Sequence, residues 1–245
     1  MAPRIATIGP RKVHVEIYET AADVADAAAA TIADLAKPSG ERASVMLAGG
    51  TTPKIAYERL AKLPVDFARI DFYFGDERAV PPDHADSNYR MARSALFDPA
   101  HVGNARVRRM AGELADLESA ARDYEALLPK RVDLLLLGMG EDGHTASLFP
   151  GSSAIGETSR LVLPVIGPKP PPKRLTITPP VIERAALVLV LATGASKADA
   201  LTRALQGPWD PSAVPIQLAS GPDAESGARA RFLLDRDAAA KLVVN

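Results

Sequence analysis

The chain has 245 residues, 47% of them apolar, which allows a substantial core and suits one large α/β domain or two small ones; a single domain over residues 1–245 is expected. Its 29 basic and 30 acidic residues leave a net charge of −1, so neither nucleic acid nor an acidic surface is called for as a partner. There is no cysteine, which excludes a disulfide scaffold, thiolate zinc sites and a cysteine nucleophile, and a reducing cytosol suits that composition.

The opening MAPRIATIGPRKV lacks an apolar stretch of signal-peptide length. Lys12–Ile17 alternates apolar and polar residues and predicts a half-buried strand. Thr20 opens an alanine-rich helix running to about Ala36, before Pro38. Ser44–Ala48 predicts a second strand, followed by a helix with Pro53 at its first position and Thr52 or Thr51 as its cap. Ile70–Phe74 is the third strand, and Ser87–Phe97 and Leu114–Leu128 are amphipathic helices. Asp133–Leu137 and Ala185–Ala192 have the continuous apolar character of parallel strands covered on both faces. The second of these falls far short of the ~20 apolar residues of a membrane span, so a soluble intracellular protein is expected. Ser196–Leu205 is a helix and Phe232–Asp235 a last strand. Strand and helix alternate, which argues for α/β architecture with a mainly parallel sheet. Gly167–Arg174, GPKPPPKR, is a proline-rich extended loop.

Leu134–His144, LLLLGMGEDGH, matches G-x-G-x-x-G after a strand. Taken literally it is a dinucleotide fingerprint. Glu141 and Asp142, however, would face the bound pyrophosphate, and no later strand ends in an acidic residue at the required spacing. Ala48–Lys54, AGGTTPK, is the better anion site. Gly49 and Gly50 allow close backbone approach, Thr51 and Thr52 bring hydroxyls, and the helix that follows adds free amides and the positive end of its dipole. It lacks the spacing of a nucleotide P-loop, so a compact monophosphate fits it better than a triphosphate.

Gly75–Arg90, GDERAVPPDHADSNYR, follows another strand end and places Asp76, Glu77 and Arg78 there. Three charges at one strand end read as more than structural. Gly138–Gly151 supplies Asp142 and His144. If the two strands are neighbours, both loops share one crevice with the anion loop. His14 lies within a strand and His101 in a loop, so neither is expected to do chemistry, and His84 reads as a rim contact. No second histidine lies at helical ligand spacing, and there is no G-x-S-x-G elbow, so neither a metal site nor a serine hydrolase is expected.

These motifs together resemble the 6-phosphogluconolactonases. The ordered blocks are LAGGTTPK, FGDERAVPPDHADSNY, LLLLGMGEDGHTASLFPG, PPPKRLTITPPVI and TGASKADAL, and they span most of the chain. The resemblance implies a Rossmann-like three-layer αβα sandwich around a mainly parallel sheet, a fold shared with glucosamine-6-phosphate deaminases and sugar-phosphate isomerases. It implies hydrolysis of 6-phospho-D-glucono-1,5-lactone in the cytoplasm, with a small-molecule phosphosugar lactone as partner. No cofactor, metal, nucleic acid, membrane or obligate protein partner is implied. On this reading His144 is the general base, and Asp142 or Asp76 orients it or the attacking water. Arg78 stabilises the oxyanion or holds the substrate, and Gly49, Gly50, Thr51, Thr52, Arg174 and Lys197 fix the phosphate. The deaminase branch is the alternative. It typically carries tyrosine where this chain has Arg78, and glutamate where this chain has Phe149. A sugar-phosphate-sensing regulator on the same fold would need a DNA-binding segment, which this sequence does not offer.

Overall fold

The computed structural model describes residues 2–36, 42–103 and 106–243; Pro38, expected to follow the first helix, lies outside them. Among the described residues the strands are β1 (Arg4–Ile8), β2 (Val13–Tyr18), β3 (Ala43–Leu47), β4 (Ile70–Phe74), β5 (Asp76–Arg78), β6 (Leu134–Gly138), β7 (Val162–Ile166), β8 (Lys173–Ile177), β9 (Leu187–Ala192) and β10 (Ala230–Asp235). The helices are α1 (Ala21–Asp34), α2 (Thr51–Leu60), α3 (Asn88–Ala92), α4 (Leu117–Glu125), α5 (Pro179–Arg184), α6 (Ala198–Gln206) and α7 (Ala224–Gly227). Seven strands form one sheet in the order β1-β2-β10-β9-β6-β3-β4, parallel except for β1 at one edge. The remaining three form a small antiparallel sheet, β5-β8-β7.

The apolar runs are explained by burial on both faces. In β6, Leu135 and Leu137 join one core, and Leu134 and Leu136 join the other. In β9 the same division separates Val188 and Val190 from Leu189 and Leu191. Side chains alternate along a strand, so each run feeds two helical layers. α1 and α2 pack on one face through Val24, Ile32, Tyr57 and Leu60. α4, α5 and α6 cover the other through Tyr124, Ile182, Leu201 and Leu205. The result is the expected three-layer αβα arrangement.

Local chemistry sets the helix ends. Thr20 accepts from the Asp23 amide while the Asp23 carboxylate accepts from Thr20 N, a reciprocal cap that starts α1. α4 starts at Leu117 rather than Leu114, because the Asp116 carboxylate takes the amides of Glu118 and Ser119. The helix expected over Ser87–Phe97 begins as α3, capped by Ser87, and widens into a π-turn over Arg93–Phe97. α2 begins at Thr51, with Gly50 at its cap at φ 111°, so neither threonine caps it and Pro53 is its third residue. The proline-rich segment is the turn between β7 and β8, and Arg174 lies within β8.

β3 leads outward to the edge strand β4, whereas β6, its neighbour on the other side, leads to β9. The two connections diverge above the β3–β6 pair, at the carboxyl ends of the strands. Open parallel sheets bind ligands at such a point.

Candidate active site

A cleft of about 390 Å³ opens there. Of the expected site residues, all but Asp142 and Glu77 line it. Four strand ends contribute: the loops after β3, β4, β6 and β9.

The floor of the cleft is the start of α2. The first amide that the helix itself satisfies is Lys54 N, which donates to Gly50 O at 3.1 Å. Pro53 has no amide, so those of Thr51 and Thr52 stand outside the helical ladder with the positive end of the dipole behind them. The Thr52 hydroxyl lies 2.7 Å from the Thr193 hydroxyl, which ties this loop to the one after β9. That second loop presents Lys197, and Asp235 pins it by accepting Gly194 N on both carboxylate oxygens at 3.0 Å. Deeper in, the buried Tyr57 hydroxyl accepts from Ala48 N at 2.9 Å and donates to Ala48 O at 2.8 Å. Burial pushes that phenol far above its ordinary pKa, so it acts as a neutral clamp on the end of β3.

The loop after β6 makes another wall of the cleft. Gly140 N donates to His144 O at 2.8 Å, closing a tight turn. The Asp142 carboxylate accepts from His144 N at 3.1 Å and lies 2.6 Å from His144 Nδ1. Partial burial alone would raise Asp142, but the bonds from the His144 amide and ring outweigh it and hold the carboxyl below its ordinary pKa. An ionised carboxylate only accepts, so Nδ1 carries the proton and Nε2 is the basic nitrogen. Phe149 packs against the imidazole, tilted by 41° with ring centroids 4.7 Å apart, and the Arg174 guanidinium sits 5.5 Å over the same phenyl ring.

The three charges of β5 separate in role. Asp76 is buried; Oδ1 accepts from Asn88 Nδ2 at 2.9 Å and Oδ2 from the Ser147 hydroxyl at 2.6 Å. Of the two carboxylates considered for orienting His144, the structure places Asp142 on the ring. Glu77 points away from the cleft and is a buried tether. It accepts from Arg78 N, Asn88 N, Tyr89 N and Ser87 Oγ, and burial raises its pKa against those four bonds. The reading of all three charges as site chemistry is therefore corrected for Glu77. Arg78 faces the cleft, with Nη1 on Asn88 Oδ1 and on Asp86 O.

Arg78 and Arg174 are cross-strand partners in the small sheet. Arg174 Nε donates to Pro171 O at 3.2 Å and Nη2 to Lys169 O at 3.3 Å, so the proline-rich turn serves as its holder. Burial, followed by the nearby Arg78, lowers the pKa of Arg174. Sequence reasoning missed Asn88, Ser147 and Thr193. Asn88 sits inside the quoted motif, but a search for titratable groups passes over an amide. His84 stays outside the cleft, accepting from Asp86 N at 3.1 Å. Among the described residues no group of three or more histidines and carboxylates is placed to hold a metal ion.

The structure is thus a doubly wound α/β protein whose cleft holds a helix start with free amides and a carboxylate-oriented histidine. Residues 18–226 match the family described as glucosamine-6-phosphate isomerases/6-phosphogluconolactonase, and the chain belongs to that family. It is 41% identical over 184 residues to a 6-phosphogluconolactonase of Synechocystis, covering 71% of this chain and 76% of that one. The solved structure of 6-phosphogluconolactonase from Trypanosoma brucei superposes with a TM-score of 0.83 at 30% identity, covering 96% of this chain and all of that one. A monomeric glucosamine-6-phosphate deaminase superposes with a TM-score of 0.82 at 25% identity, covering 93% of this chain and 99% of that one.

Proposed function

We propose that this protein, as one domain, hydrolyses 6-phospho-D-glucono-1,5-lactone to 6-phosphogluconate. The observation that carries the reading is the His144–Asp142 pair in the same cleft as the open start of α2 and Lys197. The amides of Thr51 and Thr52, the loop glycines Gly49 and Gly50, Lys197 and Arg174 receive the 6-phosphate. Fixing that remote group sets C1 of the lactone against the base. His144 Nε2 takes a proton from water as the water oxygen bonds to C1. Arg78 stabilises the negative charge that forms on the carbonyl oxygen. Collapse of the intermediate breaks the bond from C1 to the ring oxygen, and the imidazolium returns its proton to that oxygen. The products are the open-chain alcohol and a carboxylic acid that ionises at neutral pH.

The lactone is favoured over the amino sugar because Phe149, which covers His144, carries no group to move a proton during ring opening. The cysteine-free composition supports a cytosolic setting. No helix of the described residues is long and apolar enough to cross a membrane. The test is His144→Ala: turnover of the lactone should fall ~10²–10⁴-fold, the range for a positioned proton transfer. Affinity for 6-phosphogluconate, read by calorimetry, should barely change. Near-parental turnover would remove His144 as the base.

A further inference from the structure

Asn88 lies buried in the cleft wall, and its amide joins two oppositely charged side chains. Nδ2 donates to Asp76 Oδ1 at 2.9 Å and to Asp76 O at 2.8 Å, and Oδ1 accepts from Arg78 Nη1. The backbone is fixed, since Asn88 N donates to Glu77 Oε1 at 2.7 Å. The phosphate loop closes the other side: a Cβ on Gly49 would fall 2.1 Å from Asn88 Oδ1. The amide therefore has one orientation. Turned over, it would set donor against Arg78 and acceptor against Asp76.

Asp76 and Arg78 are two residues apart on one strand and share a face. Without an intervening group, a carboxylate and a guanidinium on one strand face can reach each other as a direct charge-assisted pair. Here each is instead joined to a neutral amide, the second oxygen of Asp76 is taken by Ser147, and the buried Arg78 Nε has no hydrogen-bond partner among the described residues. Arg78 Nη1 also reaches Asp86 O at 3.2 Å, while Nη2 makes no hydrogen bond among the described residues. We infer that Asn88 is a positioning residue for the reaction proposed above: its amide is a neutral spacer that keeps Arg78 from pairing with Asp76. The full charge of the guanidinium is thereby left for the oxyanion. The role of Arg78 rests on the lactonase reading; the spacer geometry does not.

The charged groups around the amide are Asp76, Glu77 and Arg78 of β5, Arg174 at the paired position of β8, and Asp86 of the rim loop. Asn88→Asp keeps the shape and replaces the donor with a carboxylate. At neutral pH that carboxylate captures Arg78 and faces Asp76, and turnover should drop about 10- to 100-fold with the loss of one charge-assisted interaction. Two carboxylates sharing a site hold a proton at raised pH. Once protonated, the new group donates to Asp76 and accepts from Arg78, restoring the polarity of the amide.

The experiment measures lactone turnover for the parent, Asn88→Asp and Asn88→Ala from about pH 8 to about pH 5, with melting temperatures over the same range. The ratio of Asn88→Asp to parental turnover should climb at least about fivefold on acidification, and its melting temperature should recover in parallel. Asn88→Ala should lose about tenfold in kcat at a pH-independent ratio, with KM little changed. A flat ratio for Asn88→Asp, or parental turnover in Asn88→Ala, overturns the inference, and if Asn88→Asp does not fold, Asn88→Ala decides it. Hydrolysis by the parent with flat ratios sinks the spacer alone. No hydrolysis by the parent, with acid recovery of melting temperature intact, sinks the lactonase reading instead.

Discussion

Gly140 gives a way to disturb the His144–Asp142 pair without touching either member. A Cβ at this position would lie 2.0 Å from His144 Nδ1, 2.2 Å from Cε1 and 2.5 Å from Asp142 Oδ1. Ordinary contact begins near 3.4 Å, so the ring must retreat by about 1.4 Å. A bond of 2.6 Å between Nδ1 and the carboxylate does not survive that shift. The backbone itself accepts alanine, because Gly140 is not among the residues with positive φ. The His144 and Asp142 side chains are 31% and 47% exposed, so the cost falls on the pair more than on the buried core. A displacement of ~1 Å at a reacting group lowers rate by ~10²-fold, and that is the loss expected in kcat for Gly140→Ala. The assay follows disappearance of the lactone, corrected for spontaneous hydrolysis, beside a thermal melt. In the His144→Ala background the same change should cost almost nothing, since the group it displaces is gone. Parental turnover in Gly140→Ala, or equal losses in both backgrounds, would refute the reasoning.

Lys197→Ala and Arg174→Ala should each reduce the preference for the phosphorylated over the unphosphorylated lactone by about tenfold or more, the worth of a charge-assisted hydrogen bond. Equal losses on both lactones would show that neither residue reads phosphate. Asp142 has its pKa lowered in the folded protein, so the stability it contributes is present above the ordinary carboxylate pKa and is lost as pH falls through the lower folded value. The difference in melting temperature between the parent and Asp142→Asn should therefore narrow in acid; a difference that stays constant with pH would count against the Asp142–His144 bond.

Six strands of the large sheet were readable, the central ones because they are buried on both faces, as the apolar run Leu134–Leu137 announces, whereas the edge strand β1, mostly exposed, was missed. The small sheet was not readable. β5 is three charged residues, and β7 contains Pro164, which is tolerated there because β7 is an edge strand. The start of α4 was misplaced because the apolar pattern reaches back to Leu114, while the Asp116 cap fixes the first turn. Within the site, cations and glycine-rich turns were legible from residue type. Which carboxylate meets His144 depends on a hydrogen bond between loop atoms, and residue type alone left Asp142 and Asp76 equal. Glu77 was over-read for a related reason: a carboxylate next to a strand end looks reactive until its oxygens are found occupied by backbone amides.

The central claim is that this cleft hydrolyses a phosphosugar lactone. The direct measurement supplies the purified protein with 6-phospho-D-glucono-1,5-lactone and, in a parallel reaction, with glucosamine 6-phosphate. Loss of lactone and release of ammonia are followed over the same period. The account predicts lactone hydrolysis well above the spontaneous rate and no useful ammonia release. Lactone loss at only the spontaneous rate, or ammonia release at a comparable or higher turnover, would contradict it.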